Sequence, residues 1–267
     1  MGIIKIFILF ILIIIFLQLY TKYIESKSIF FPLKNIEVYP SEIGLTFEDI
    51  YLSPFNNLKL NGWFIPAKDA TYTILFLHGN GGNISHRLEK VKILLECKVN
   101  IFLVDYRGYG KSTLKPSEKG IYDDAKIFYD YLIKEKKIIP NNIIVYGESL
   151  GTAVAIDLAS KENIRALILE GAFDSARSMA KKLYPFIPSF LFSDIFNSFK
   201  KIEKIKIDKL FIHSKNDEII PIEMSRRLYN HAPKPKMFIE VTGGHNTAFI
   251  DAYNTYVFSI RSFIENL

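Results

Sequence analysis

Apolar residues in this chain fall into three kinds of run, and each predicts a different element. The first, Ile3 to Leu19, is nearly unbroken Ile, Leu and Phe, with only Lys5 and Gln18 near its ends. As a helix it would span roughly 26 Å at ~1.5 Å per residue, slightly under the ~30 Å hydrocarbon layer, a shortfall that Lys5 relieves by snorkelling. Residues 1–27 are therefore expected to be a membrane anchor and linker. A cleaved signal peptide is the competing reading, and only Ser26-x-Ser28 offers a cleavage site. Lys5 and the terminal amine on one side balance Lys22 and Lys27 on the other, so charge does not assign the side of the membrane.

The second kind of run is short, continuous and bounded by turn residues, as in strands buried on both faces. Leu45 to Leu52 and Leu58 to Ile65 read as a hairpin joined through Ser53-Pro-Phe-Asn-Asn57. Thr71 to Leu77, Val99 to Val104, the stretch from Asn142 up to Gly147, Arg165 to Glu170, Lys209 to Ser214 and Lys236 to Val241 read as further strands. The third kind is helical, including a start near Ile84, a helix over Ile121 to Lys134 and a run of small residues after Ser149. Strands alternating with helices predict a mostly parallel sheet with helices on both faces. One domain over residues 28–267 is expected, carrying an insertion at 171–209.

Composition narrows the function more than the fold. At 267 residues, 49% of them apolar, the chain can bury a single large core. Cys97 is the only cysteine, which excludes an internal disulfide and a cysteine-based zinc site. The net charge of +6 is spread along the chain without zinc-finger spacing or an aromatic RNA-binding signature, which argues against nucleic acid as a partner. Ile6 occupies the position where a myristoylation signal needs Ser or Thr.

The candidate chemistry centres on Gly147-Glu-Ser149-Leu-Gly151, where a buried strand stops, turns and restarts as a helix. That context gives a G-x-S-x-G motif its meaning: the serine stands at the tip of a strained turn, and a Cβ on either glycine would collide with neighbouring backbone. A serine hydroxyl needs an imidazole to take its proton, and the imidazole needs a carboxylate to hold its tautomer. Asp217 and His245 each lie just past the end of an expected strand, where parallel sheets place their sites. Glu218 is the alternative acid, and His213 reads as a core histidine. His78-Gly-Asn-Gly-Gly-Asn83 lacks the ending of a P-loop and suits an oxyanion loop, its donors being the backbone N-H groups of Asn80 and Leu150. His78 reads as a loop-fixing residue. Gly110-Lys-Ser112 lacks the glycine that a P-loop needs at Asp105, and Asp105 with Arg107 is expected to form a loop-holding ion pair.

Together the His78 to Asn83 loop, Asp105-Tyr-Arg-Gly-Tyr-Gly-Lys-Ser112, Gly147-Glu-Ser-Leu-Gly151, Asn216-Asp217 and Gly244-His245-Asn246 resemble the α/β-hydrolase superfamily, closest to its membrane-anchored bud-emergence-like and abhydrolase-domain branch. The resemblance covers about residues 28–267. It implies a serine hydrolase with Ser149, Asp217 and His245 as catalytic residues, acting on an ester or thioester of a small molecule, an acyl lipid or an acylated protein. No metal or organic cofactor is expected. A non-catalytic membrane-tethered binding module and a serine peptidase are the alternatives. Glu148 departs from the Arg or Gln often found before the serine, which is expected to change the charge at the site mouth. The 171–209 insertion is expected to form a small helical cap. Its aromatics, from Phe186 to Phe199, either pack on the core or, with Lys200, Lys201, Lys204, Lys206 and Lys209, rest against an anionic bilayer.

Overall fold

The computed structural model describes residues 2–55 and 57–267. Helix α1 spans Gly2–Ser28, and its apolar length from Ile3 to Phe16 is exposed, Ile3 by 85%. It is the one helix among the described residues long and apolar enough to cross a membrane.

Among the described residues, apart from a two-residue parallel pairing of Phe31–Pro32 with Gly81–Gly82, eight strands follow: β1 (Glu48–Phe55), β2 (Leu58–Ile65), β3 (Thr73–Leu77), β4 (Asn100–Asp105), β5 (Ile143–Glu148), β6 (Ala166–Glu170), β7 (Asp208–Ser214) and β8 (Met237–Val241). They form one sheet in the order β1-β2-β4-β3-β5-β6-β7-β8. The β1–β2 and β2–β4 pairs are antiparallel, and all the others are parallel. The hairpin is tighter than its sequence suggests. β1 bulges between Leu52 and Phe55 and continues to a Phe55–Leu58 pair, so most of the expected link is strand; Asn56 lies outside the described residues. Leu45 and Phe47, expected in that strand, instead pack before it begins, Phe47 against Trp63 and Leu45 against the apolar layer that holds it.

Two apolar layers enclose the sheet, one on each face. Ile74, Leu75, Phe76 and Leu77 of β3 are fully buried, because successive side chains serve opposite layers. Each such side chain contributes about 1.5–3 kcal/mol by leaving water. The covering helices are α2 (Leu88–Leu95), α3 (Glu118–Lys134), α4 (Leu150–Ala159), α5 (Ala176–Leu183), α6 (Phe199–Ile202), α7 (Ile222–His231), α8 (Ala248–Asp251) and α9 (Tyr253–Glu265). Helix α3 starts at Glu118, three residues earlier than the apolar period indicates, and is capped by Ser117, whose side chain accepts from the Gly120 N-H.

The segment between β6 and β7 holds α5, a 3-10 turn at Ser189–Leu191 and α6. Its aromatics divide: Phe192 and Phe196 are buried against the core, while Phe186 and Phe190 are 97% and 76% exposed. Its lysines divide as well: Lys181, Lys182, Lys200, Lys204 and Lys206 are exposed, while Lys201 and Lys209 are drawn into the fold. Lys200 pairs with Asp194 at 2.8 Å and Lys201 with Asp157 at 2.7 Å, and the buried Lys209 ammonium donates to the carbonyls of Ile205 and Ile207.

The cap also meets the amino-terminal helix. Thr21 of α1 is fully buried, and its single hydroxyl proton is shared between Leu191 O and the Gln18 O of its own helix, each at 3.0 Å. The Glu25 carboxylate accepts from the Ser193 N-H at 2.6 Å and the Ser193 hydroxyl at 2.7 Å.

Candidate active site

The nucleophile turn forms because two glycines allow strand and helix to approach more closely than side chains permit. A Cβ on Gly151 would lie 1.9 Å from the Leu77 carbonyl oxygen, and one on Gly147 would lie 2.5 Å from the Gly151 carbonyl oxygen. Between them Ser149 is held at φ 51°, ψ −117°, a conformation that L residues adopt only when the surroundings enforce it. Its N-H donates to Glu170 O on the neighbouring strand at 2.9 Å, and its carbonyl accepts from Thr152.

The structure brings the three candidate side chains together at the carboxyl ends of β5, β7 and β8. Ser149 Oγ is 3.1 Å from His245 Nε2, and His245 Nδ1 is 2.7 Å from Asp217 Oδ2. The other Asp217 oxygen accepts from the N-H groups of Ile219 and Ile220 at 2.9 and 2.7 Å. Glu218, the alternative acid, accepts instead from the His245 backbone N-H at 2.9 Å and so positions the loop.

His213 is closer to the site than its place in a buried strand indicates. Its Nε2 donates to Ile220 O at 2.9 Å and lies 3.4 Å from Asp217 Oδ2. Burial pushes the Asp217 carboxyl up, but hydrogen bonds from His213 and His245 outweigh it and hold the group well below the usual carboxylate range. Burial alone would lower the His245 pKa; the hydrogen bond and charge of Asp217 prevail and raise it.

Asn80 and Leu150, the expected oxyanion donors, line the same cavity as Ser149 and His245. Leu150 is the first residue of α4, where backbone N-H groups point outward without an intrahelical carbonyl. The Asn80 carbonyl is fixed by the Phe31 N-H at 3.0 Å and the Tyr109 hydroxyl at 2.8 Å. His78 is fully buried and holds the loop from beneath, its Nε2 3.3 Å from Asp105 Oδ1.

That contact corrects the expected Asp105–Arg107 pair. Asp105 ends the buried β4, facing His78 and the Ile84 N-H, to which it is bonded at 3.0 Å. Arg107 lies past the strand end against α3, where it makes a multidentate pair with the buried Asp124, at 2.7 Å from Nη2 to Oδ1.

A buried charge cluster, which single-sequence reasoning does not assemble, lies under the nucleophile turn. Glu148 accepts from Arg87 Nε at 2.6 Å and from Lys90 Nζ at 2.5 Å, and Lys90 also reaches Glu170 at 2.7 Å. Burial raises the Glu148 carboxyl pKa, but the two cations outweigh this and hold it far below the ordinary range. Glu148 also accepts from the Gly79 N-H at 3.3 Å, and Arg87 Nη2 donates to Gly81 O at 3.0 Å. The available signal was Glu148 beside the serine together with Arg87 and Lys90 three residues apart on one helix face.

The cavity above Ser149 measures about 620 Å³, within the range of small-molecule sites. Its wall is mostly apolar, formed by cap residues such as Met179 and Phe192 and by Ile24, Glu25 and Ser28 of α1.

Comparison with known proteins agrees with this architecture. Residues 72–201 match the alpha/beta hydrolase fold family. The alpha/beta hydrolase domain-containing protein WAV2 of Arabidopsis thaliana is 33% identical over 90% of this chain and 87% of its own length. Protein bem46 of Schizosaccharomyces pombe is 35% identical over 68% of this chain and 64% of its own. The Pyrococcus furiosus esterase Pf2001 superposes with a TM-score of 0.74, covering 90% of this chain and 98% of that one at 20% identity. An eight-stranded sheet of this order, together with a relative alike over nearly its whole length, establishes that the chain belongs to the α/β-hydrolase superfamily.

Proposed function

We propose that this protein is a membrane-tethered serine hydrolase that cleaves a carboxylic ester or thioester through an acyl-enzyme. The observation that carries the reading is the Ser149–His245–Asp217 chain of contacts at 3.1 and 2.7 Å, opening onto an apolar cavity. His245 Nε2 accepts the Ser149 proton as Oγ attacks the acyl carbon, while Asp217 keeps Nδ1 protonated and stabilises the imidazolium. The tetrahedral oxyanion is met by the N-H groups of Asn80 and Leu150, each such donor lowering the barrier by about 2.7–4 kcal/mol. Collapse expels the alcohol or thiol, which takes the proton from His245. Water then enters, gives a proton to the same nitrogen and attacks the acyl-enzyme. A second collapse frees the carboxylic acid and returns the proton to Ser149.

The apolar α1 supplies the tether in this reading, with Tyr20, Tyr23, Lys22 and Lys27 at the interfacial level where aromatic and basic residues anchor a span. The test is labelling of the full chain by a fluorophosphonate probe, together with hydrolysis of p-nitrophenyl esters and acyl thioesters graded by chain length. Labelling and turnover that vanish in Ser149→Ala are expected. Turnover that survives this substitution overturns the assignment, and a wild-type chain inert to probe and substrates alike leaves a binding module on a hydrolase fold.

A further inference from the structure

A tether need only hold a domain near the bilayer, and a flexible linker would do that. Here the helix is built into the site. Ile24, Glu25 and Ser28, in the last turns of α1, line the cavity that contains Ser149. Two pins join those turns to the cap: the Thr21 hydroxyl on Leu191 O, and the Glu25 carboxylate on Ser193. Thr21 is fully buried, so the junction excludes water around the first pin.

The depth of this junction can be worked out. The apolar run ends at Leu19, and Ile24 lies five residues further, roughly 8 Å along the axis at ~1.5 Å per residue. The polar interfacial zone of a bilayer is roughly 5–7 Å thick on each side of the hydrocarbon core. The cavity therefore begins near the outer edge of the headgroup zone when α1 spans, a short rise along the helix from the hydrocarbon boundary at which a lipid's acyl ester is held. Around the junction the surface is apolar: Leu183 is 56%, Phe186 97%, Phe190 76%, Phe31 51% and Leu33 50% exposed. The exposed cap lysines Lys181, Lys182, Lys200, Lys204 and Lys206 edge this apolar rim with positive charge, while Lys201 and Lys209 are drawn into the fold.

We infer that α1 is one wall of the acyl-binding site, and that the substrate is a bilayer-resident acyl ester whose chain enters sideways between α1 and the cap. The inference rests on the hydrolase reading above and adds the class and the route of the substrate. An acyl chain sliding along α1 past Ile24 stays in apolar contact from the hydrocarbon to the cavity, bringing its carbonyl to Ser149 without exposing the chain to water. The Glu25 and Thr21 pins fix the width of the entrance.

The test uses the full chain reconstituted in phosphatidylcholine vesicles, with a fluorogenic palmitoyl ester dissolved in the bilayer and the acetyl ester of the same fluorophore in water. Two variants address the wall: Ile24→Trp narrows the cavity, and Glu25→Ala releases the helix from Ser193. In each the ratio of palmitoyl to acetyl hydrolysis should fall at least tenfold, whereas Phe258→Ser, which removes an exposed aromatic on α9, should leave the ratio unchanged. Fluorophosphonate labelling of Ser149 in each variant reports whether its site is assembled. Ratios within about twofold of wild type in both wall variants, with labelling retained, overturn the lateral route while leaving the hydrolase reading intact. Absence of labelling in the wild-type chain overturns both.

Discussion

Gly151→Ala measures how tightly the site geometry depends on close approach of backbone. The added Cβ would meet the Leu77 carbonyl oxygen at 1.9 Å, its carbonyl carbon at 2.7 Å and the His78 oxygen at 2.8 Å. Real Cβ contacts do not fall below 3.0 Å, so α4 and the end of β3 must separate by about 1.1 Å, and the obstructing atoms are backbone that cannot swing aside. If α4 retreats it carries Ser149 and the Leu150 donor away; if β3 retreats it carries the Asn80 loop. Both routes misplace a reacting group by about an ångström, which costs on the order of 10²-fold in rate. The stability cost belongs at or above the top of the ~1–3 kcal/mol range for overpacking. Gly147→Ala tests the other contact of α4, with β5, where the nearest atom is the Gly151 carbonyl oxygen at 2.5 Å and a gap of only about 0.5 Å must open. The second-order rate of fluorophosphonate labelling should rank wild type, then Gly147→Ala, then Gly151→Ala, while fluorescence of the single, buried Trp63 confirms that each chain is folded. The reasoning fails if folded Gly151→Ala labels within about threefold of wild type, where an ångström of displacement should cost far more, or if Gly147→Ala is the slower of the two.

Two further outcomes follow from the charges. General-base action needs neutral His245, so activity should rise with pH through a midpoint above the ordinary histidine value of about 6.5, because Asp217 raises the imidazole pKa. Asp217→Asn should lower that midpoint and cut kcat by ~10⁴, as the equivalent change does in the serine-protease triad; an unmoved acid limb in the pH-rate profile would count against the assignment. Lys90→Met should destabilise the fold by about 3 kcal/mol, the low end for breaking a buried ion pair. The low end applies because Glu148 keeps Arg87 at 2.6 Å and Glu170 keeps the Tyr256 hydroxyl at 3.1 Å. Urea unfolding in detergent, followed by Trp63 fluorescence, checks it, and a change within ~0.5 kcal/mol, as at an ordinary surface position, would refute it.

What could be read in the sequence was what depends on local pattern. The buried strands announce themselves as apolar runs, and the strand-turn-helix at Ser149 is visible because its small residues are adjacent. The positions of Asp217 and His245 followed from the rule that parallel sheets gather loops at one end. Edges were harder: Leu45 and Phe47 are as apolar as a strand, yet they pack against the layer that holds Trp63 before pairing begins, and periodicity cannot separate the two. In the cap, Phe186 and Phe192 have the same composition signal and opposite burial, since burial there depends on what lies across the cavity. Arg107 has Asp105 two residues away in sequence but Asp124 beside it in space.

Glu148 shows how such long-range partners change the meaning of a residue. Beside the serine, a carboxylate suggests a negative site mouth that would oppose a developing oxyanion. In the fold its charge is matched by Arg87, and the charge of Glu170 by Lys90, so the cluster is formally neutral. Its hydrogen bonds are the more specific consequence. Glu148 directly precedes the segment bearing the Leu150 donor, and it accepts from Gly79, directly before the Asn80 donor, while Arg87 grips the carbonyl of Gly81 just beyond. One largely buried carboxylate thus ties together the two backbone segments whose N-H groups the proposed mechanism aims at a single oxygen. Rigid donors of this kind stabilise charge without reorganising when it forms, which is the principal source of catalysis in acyl transfer. An arginine or glutamine before the serine could not bridge the same two cations and the same N-H, so the residue that looks most out of place for the motif is accounted for by what it holds still.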